Sequence, residues 1–490
     1  MSVFRHIKQL AAESIIYGIS GTVAKSIGFF LIPIYTRIFS PADYGIIALI
    51  TTLTGLLGMF VVLGLDNSSA RWFYDTDDVL NRKHTISSWF WCQLSVSCMI
   101  ALGLILFARN ISALLFKSQE YAILICLAAI TTPLRTFSKV LGNWLRYQRR
   151  AWITTIFATA SSFGTIAIIV LFVVVLRWGL FGIYSANLIA AILIAIAAIS
   201  ILKTWISPAY LSWVRLKEML EYGLPLVPAA IASWVTISSD RFILQMFYDN
   251  SEVGLYSVAA TIASGVALIT GAFRMAWGPF AFSIYREKES IDVYSEVLSL
   301  YALFGCFLGT IVSLFAPLVL RVLTTREYFQ SASCIPFLVF SFIIIGSTYI
   351  VGIGSGIVKR STPIAVGIFI GASINIILNF LLIPRYGKEG AAIATLLSYM
   401  GVFIYRYPIS QKDYRIPYRI WHTVICFGFS WVLILIDHLF IPSSSLTAFV
   451  LRAGMCLLFI PLSLWLGIIR PDHIKRLFNL FSGRMKSAMV

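Results

Sequence analysis

Reduced to hydrophobic and polar positions, the chain is a succession of apolar runs about 20 residues long, separated by short polar and often basic turns. About 20 apolar residues are what an α-helix needs to cross the hydrocarbon of a bilayer. The pattern predicts fourteen such helices, at 15–34, 45–65, 86–107, 120–141, 152–176, 179–202, 223–247, 253–275, 295–317, 333–354, 363–383, 388–407, 419–440 and 447–469. Connecting segments are short, so no separate soluble domain is expected to house an active site. The N-terminal stretch MSVFRHIKQLAAESIIYG lacks a small-residue cleavage site after a short apolar core, and the first span is expected to be retained.

Composition agrees with an all-α polytopic membrane protein. Of 490 residues 59% are hydrophobic and 12% charged, with mean hydropathy +0.87, whereas an ordinary globular domain is roughly a quarter charged. The net charge of +17 is mostly a topology signal. With the N-terminus inside, most of the 38 Lys and Arg residues fall in cytoplasmic segments, which places both termini in the cytoplasm. Anionic lipid headgroups are natural neighbours for such turns, while the scatter of basic residues over eight cytoplasmic segments gives no patch for nucleic acid. The seven cysteines and five histidines show no CxxC and no metal-ligand spacing, so neither a zinc site nor a disulfide framework is expected.

The two halves of the chain repeat. RWGLFG (177–182) lies between spans five and six, and RYGKEG (385–390) between spans eleven and twelve. The preceding basic turns RYQRRAW (146–152) and IVKRSTP (357–363) correspond, as do Tyr17-Gly18 and Tyr222-Gly223. Six spans per copy is an even number, so the second copy enters the membrane in the same direction as the first. That predicts two parallel six-helix lobes, 1–208 and 209–410, rocking about a site near the midplane, with 411–490 holding two additional helices and a basic tail.

Polar residues inside spans mark the faces turned away from lipid. Lys25 lies within the first span on a stripe of Ser14, Gly18, Gly21 and Gly28; a lysine there costs roughly 3 kcal/mol on insertion scales and so faces protein or water. Span seven carries Ala229, Ser233, Thr236 and Asp240, span eight Ser257, Thr261 and Ser264, and span eleven Asn375 and Asn379. Such stripes fit either interhelical hydrogen bonds or a hydrated lumen. Arg135, Lys139, Arg241 and Arg274 are further basic residues within or at the ends of spans, and Arg71 follows the inner end of span two. Among acids, Asp240 and Asp437 fall well inside the predicted spans, with Glu13 and a few others at span edges. An excess of cations favours an anionic cargo.

The runs LIPIYTRIFSPADYG (31–45), LGLDNSSARWFYD (63–75), SSDRFILQMF (238–247), VGLYSVAATIASG (253–265) and AWGPF (276–280) resemble the polysaccharide biosynthesis transporters, O-antigen flippases of the multidrug/oligosaccharidyl-lipid/polysaccharide exporter superfamily. The resemblance covers essentially the whole chain. It implies a MATE-like pair of six-helix lobes that open alternately, and carriage of undecaprenyl-pyrophosphate-linked oligosaccharide from the cytoplasmic to the periplasmic leaflet of a bacterial inner membrane, alongside other polysaccharide assembly proteins. On that reading Lys25 is the first candidate to hold the pyrophosphate, Arg135 the second, and Arg71 a contact at the cytoplasmic mouth, with Lys139, Arg241 and Arg274 as further lumen cations. Ser233, Thr236, Asn375 and Asn379 line the lumen. No cofactor or metal is called for, and Asp240 is the candidate for coupling to H+ or Na+.

Two other classes fit a polytopic chain less well. A multidrug exporter of the same fold would be expected to carry more buried acid for cationic cargo. A polysaccharide polymerase or membrane glycosyltransferase would be expected to carry a sizeable outer loop with catalytic side chains. The topology is directly testable: reporter fusions at Asp249 and Pro442 should score outside, and fusions at Arg150, Lys359 and Lys412 inside; an inside signal at Asp249 would overturn the parallel repeat.

Overall fold

The computed structural model describes residues 28–287, 290–441 and 446–468. Its order is α1 (Gly28–Ile38), α2 (Pro41–Val62), α3 (Leu65–Tyr74), α4 (Val79–Leu106), α5 (Ala108–Phe116), α6 (Ala122–Tyr147), α7 (Ala151–Val170), α8 (Gly179–Leu202), α9 (Trp213–Gly223) and α10 (Val227–Phe247). It continues with α11 (Asn250–Ile284), α12 (Ser290–Leu314), α13 (Ala316–Leu323), α14 (Ile335–Val351), α15 (Ile353–Ile357), α16 (Thr362–Asp413), α17 (Ile420–Phe440), α18 (Leu446–Leu457) and α19 (Phe459–Trp465). Among the described residues there is no strand. In hydrocarbon a lone open strand edge would leave backbone groups unpaired, which helices avoid.

Twelve helical runs of the described residues are long and apolar enough to cross a membrane. The longest, α16, has 52 residues and holds the expected spans 363–383 and 388–407, joined at Gly387 by a non-helical backbone (φ 53°, ψ −132°). Most of the first expected span, 15–34, lies outside the described residues. Span two runs farther than 45–65: it starts at Pro41 and its helical run reaches Tyr74, with Leu63 and Gly64 in left-handed conformation at the break. The α2 start follows from SPAD at 40–43. Ser40 Oγ accepts from Asp43 N–H, Asp43 Oδ2 accepts from Ser40 N–H, and Pro41 fills the first turn where no donor is needed.

The repeated turns share a backbone geometry. Arg149 N–H donates to Arg146 O and Arg150 N–H to Leu145 O; Lys359 N–H donates to Gly356 O and Arg360 N–H to Ser355 O. Arg149 and Lys359 have φ of 53° and 59°. Both are left-handed helix ends with the paired 5→2 and 6→1 bonds of a Schellman motif. Gly179 of RWGLFG and Gly387 of RYGKEG have φ of 58° and 53°, values that favour glycine. At the second turn Glu252 holds Lys388, through a 3.1 Å ion pair and a 3.3 Å bond from the Lys388 N–H.

The chain divides into two compact units. The first comprises residues 1–265, 323–331 and 371–394; the second comprises 266–322, 332–370 and 395–490. The first unit is packed around Trp89, Phe90, Leu141, Trp144, Phe73, Leu202 and Met219, drawn from α3, α4, α6, α8 and α9. In the second, α12, α14 and α17 pack through Gly305, Gly309, Ile343, Phe340, Phe427 and Trp431. A β-carbon at Gly309 would stand 2.7 Å from Ile343 Cδ1.

Within the first unit the backbone at both ends of α2 comes close to the backbone of a neighbouring segment. At one end a β-carbon on Gly45 would lie 1.8 Å from Asn250 O, and one on Gly254 1.9 Å from Pro41 O. At the other, a β-carbon on Gly64 would lie 2.2 Å from Gly223 O, with φ of 69°. Glycine is therefore required at Gly64 on two grounds. Gly64→Ala should lower stability by about 1–3 kcal/mol, seen as a lower melting midpoint of the purified protein. Gly58→Ala, into open space, is the matched control and should change little.

Candidate functional site

Lys25, with the rest of its stripe up to Gly21, lies outside the described residues. Just beyond it, a β-carbon on Gly28 would be 3.8 Å from Thr261 Cγ2, so α1 runs beside the polar stripe of α11. The other candidates sort by how their charge is answered.

In the first unit Arg135, on α6, projects to an exposed position where Nη2 donates to Asn187 Oδ1 of α8 at 3.3 Å. It has no carboxylate partner among the described residues. Lys139, one turn farther along α6, is different: its ammonium is 2.8 Å from Asp66 Oδ2, and both groups are about one-third exposed. Asp66 is built into a wider network. Gln93 Nε2 donates to Asp66 Oδ1 at 3.0 Å, Tyr147 OH donates to Asp66 O at 3.1 Å, and Ser69 Oγ lies 3.0 Å from the same hydroxyl. The inventory of acids inside spans therefore needs Asp66 added, because the helical run continues past Leu65. Its position was inferable from depth, since Asp66 and Lys139 both fall near the C-terminal ends of spans expected to run in the same direction.

Arg71, on α3, is exposed, with its guanidinium 5.7 Å over the Tyr222 ring. Near the end of α10, Asp240 is 1% exposed. Its Oδ2 accepts from Tyr256 OH, and its Oδ1 from the Arg241 N–H at 2.9 Å. The Arg241 guanidinium is 3.4 Å from the same oxygen, donates to Ile237 O at 3.2 Å, and stands 5.6 Å over the Tyr256 ring. Arg241 is thus neutralised by the acid beside it.

The polar candidates are mostly engaged in the helices themselves. Ser233 Oγ and Thr236 Oγ1 each donate to the carbonyl four residues back, Ala229 O at 2.9 Å and Ala232 O at 3.1 Å. Asn375 and Asn379 are completely buried, with Asn379 Nδ2 donating to Asn375 Oδ1 at 3.0 Å and Ser239 Oγ to the same oxygen at 3.3 Å. They join α16 to α10, the interhelical alternative for such stripes. Asn379 Oδ1 has no hydrogen-bond partner.

In the second unit Arg274, on α11, is exposed; its Nη1 donates to Tyr349 OH at 2.7 Å and its guanidinium sits 4.7 Å over the Tyr349 ring. Asp437 near the end of α17 is held by Arg452 of α18 through bonds of 2.7 and 3.3 Å. Equal depth from one membrane face, on helices running in opposite directions, is the sequence signal for that pair. No cluster of three or more metal-ligating residues occurs among the described residues.

The pattern of this chain matches the polysaccharide biosynthesis protein family over residues 34–333. The chain belongs to that family. It is 24% identical over 285 residues to the succinoglycan biosynthesis transport protein ExoT of Rhizobium meliloti, covering 57% of this chain and 56% of that one. To the probable flippase AglR of Haloferax volcanii it is 28% identical over 233 residues, 45% of this chain and 44% of that one. The chain thus covers about half the length of these curated relatives. Its fold is that of the lipid II flippase MurJ in an inward closed conformation, with TM-score 0.73 at 14% identity over 92% of this chain and 98% of that one. An inward-facing multidrug MATE transporter superposes with TM-score 0.65 at 15% identity over 79% and 94% of the two chains. The family and the MATE-like architecture expected from the sequence are thereby shown.

The Asp66–Lys139 pair makes a separable prediction. Lys139→Met alone should strand the carboxylate and cost about 1–2 kcal/mol, less than a fully buried pair because water reaches it. Adding Asp66→Asn should recover most of that loss. Double-mutant thermal unfolding in detergent measures the coupling, and additive losses would show that the pair contributes nothing.

Proposed function

We propose that this protein carries an oligosaccharide linked to a polyprenyl diphosphate from the cytoplasmic to the outer leaflet of the membrane in which it sits, by alternating access and without covalent chemistry. The observation that carries this reading is Arg135: an arginine on a membrane-spanning helix, reaching an exposed position, held by a neutral amide and without a carboxylate partner among the described residues. A charge of that kind is costly in hydrocarbon and becomes favourable once a diphosphate brings the missing negative charge into a poorly hydrated space. The succinoglycan and flippase relatives, and the likeness of the fold to a lipid II flippase, support the same cargo class.

Lys25 remains the first choice for the diphosphate, Arg135 the second and Arg71 the contact at the cytoplasmic side. Lys139 and Arg241, whose charges are met by Asp66 and Asp240, serve to hold helices in place. Asp240, with Asn375 and Asn379 on the helix that meets α10, is the candidate for cation coupling, H+ or Na+. The sugar is taken to be an O-antigen-like or related surface-polysaccharide unit, and the membrane to be a bacterial inner membrane with both termini cytoplasmic.

The test uses a deletion strain. Lipid-linked repeat units should be assembled and remain in the cytoplasmic leaflet, and the wild-type gene should restore surface polysaccharide. Lys25→Arg should keep much of that activity, whereas Lys25→Ala and Lys25→Glu should abolish it at unchanged protein level. Normal delivery of lipid-linked units without the protein would sink the flippase reading; full activity of the alanine variant would remove Lys25 from it.

A further inference from the structure

Three lysine or arginine side chains among the described residues are almost wholly buried: Lys388 at 8% exposure, Arg406 at 8% and Arg452 at 5%. Lys388 is paired with Glu252, and Arg452 with Asp437. Arg406 has neither an ion pair nor a hydrogen bond within the described residues. It lies in the second unit, in the last third of α16. The acid that follows it on that helix, Asp413, is already occupied by Arg360 and by Ser355 Oγ, the latter at 2.8 Å.

The surroundings of Arg406 are shaped to admit its side chain. A β-carbon on Gly352, at the end of α14, would stand 2.3 Å from Arg406 Nη2 and 2.7 Å from Cζ. One on Gly367, in the first half of α16, would stand 3.3 Å from Cγ and Cδ. Two glycines thus leave a slot for the guanidinium and its stem. One helical turn on, Ser410 is 1% exposed and its hydroxyl has no hydrogen-bond partner. Gly354 meets it: a β-carbon there would be 2.6 Å from Ser410 Oγ. Gly352 and Gly354 therefore give backbone clearance for Arg406 and Ser410 in turn.

An arginine does not deprotonate in proteins, so burial cannot be relieved by losing the charge. A fixed buried cation without an acid, beside an unused hydroxyl donor, is a site waiting for an anion; the guanidinium fork matches phosphate oxygens two at a time. We propose that Arg406, with Ser410 beside it, is a phosphate-binding site, and that its ligand is the diphosphate of the lipid-linked cargo. The identity of that ligand rests on the flippase reading; the phosphate chemistry does not. The alternative is an arginine that snorkels along its stem toward the membrane surface.

The site is tested by binding without transport. Full-length protein purified in detergent is titrated with inorganic pyrophosphate, with sulfate at matched ionic strength as the control. The wild type should bind pyrophosphate saturably. Arg406→Gln should weaken binding at least about tenfold, Arg406→Lys should fall between because a point charge replaces the fork, and Ser410→Ala should weaken it a few-fold. Gly352→Ala, which keeps Arg406 but fills its slot, should lose affinity too, and the melting midpoint of each variant reports whether it is folded. Equal affinity for pyrophosphate in wild type and a folded Arg406→Gln protein overturns the site.

Competition then separates the sources of phosphate. A soluble polyprenyl diphosphate should displace pyrophosphate far better than phosphatidylglycerol does; equal displacement by the two overturns the assignment to cargo. Arg406-dependent binding in a protein whose deletion leaves lipid-linked units correctly delivered would sink the flippase reading and leave the phosphate site standing. Absence of Arg406-dependent binding in a protein whose deletion strands lipid-linked units in the cytoplasmic leaflet would do the reverse, and loss of binding in Arg406→Gln with delivery intact overturns the assignment to cargo.

Discussion

Hydrocarbon offers neither water nor counter-ion, so every basic side chain carried into α6, α10, α11, α16 and α18 needs its answer from another helix or from a ligand. The described residues show each kind of answer. Asp66 meets Lys139, Glu252 meets Lys388 and Asp437 meets Arg452, each tying two helical segments together. Arg241 is met by the acid next to it in sequence and by an aromatic ring. Arg135 and Arg274 are met only by neutral partners, an amide and a phenol. This gradation distinguishes cations that fasten the fold from cations with capacity to spare, and it is the latter group that a diphosphate cargo would use.

Much of the architecture was legible in the sequence because membrane spans are specified by length and apolarity, which are local properties. The repeat was legible for a related reason. RWGLFG and RYGKEG each turn on a glycine with positive φ, and the two basic turns each close a helix with the same pair of backbone bonds. Such turns need particular residues at particular positions, so they leave a trace in one-dimensional text.

Pairing was less legible. Asp66 falls just past the expected span 45–65, whereas the chain bends at Leu63-Gly64 and continues as helix to Tyr74. Ser233 and Thr236 read as lumen groups, yet their hydroxyls turn back on their own helix; periodicity places a residue on a face and leaves its rotamer open. Arg406 sits close to the end of its span, where a long side chain is readily discounted. Only the slot between Gly352 and Gly367, formed by segments distant in sequence, shows that it is enclosed.

The glycine contacts of α2 have a kinetic meaning. At Gly45, Gly254 and Gly64 a Cα–H faces a carbonyl oxygen across a close crossing, a weak interaction worth a fraction of an ordinary hydrogen bond, with the Ser68 Oγ bond to Met219 O and the Tyr44–Tyr328 ring contact beside it. Separating such surfaces breaks these neutral contacts. The contacts themselves therefore have little sensitivity to acidity or ionic strength, and any such sensitivity in the rate of conformational exchange must originate elsewhere, in the charged groups of the chain.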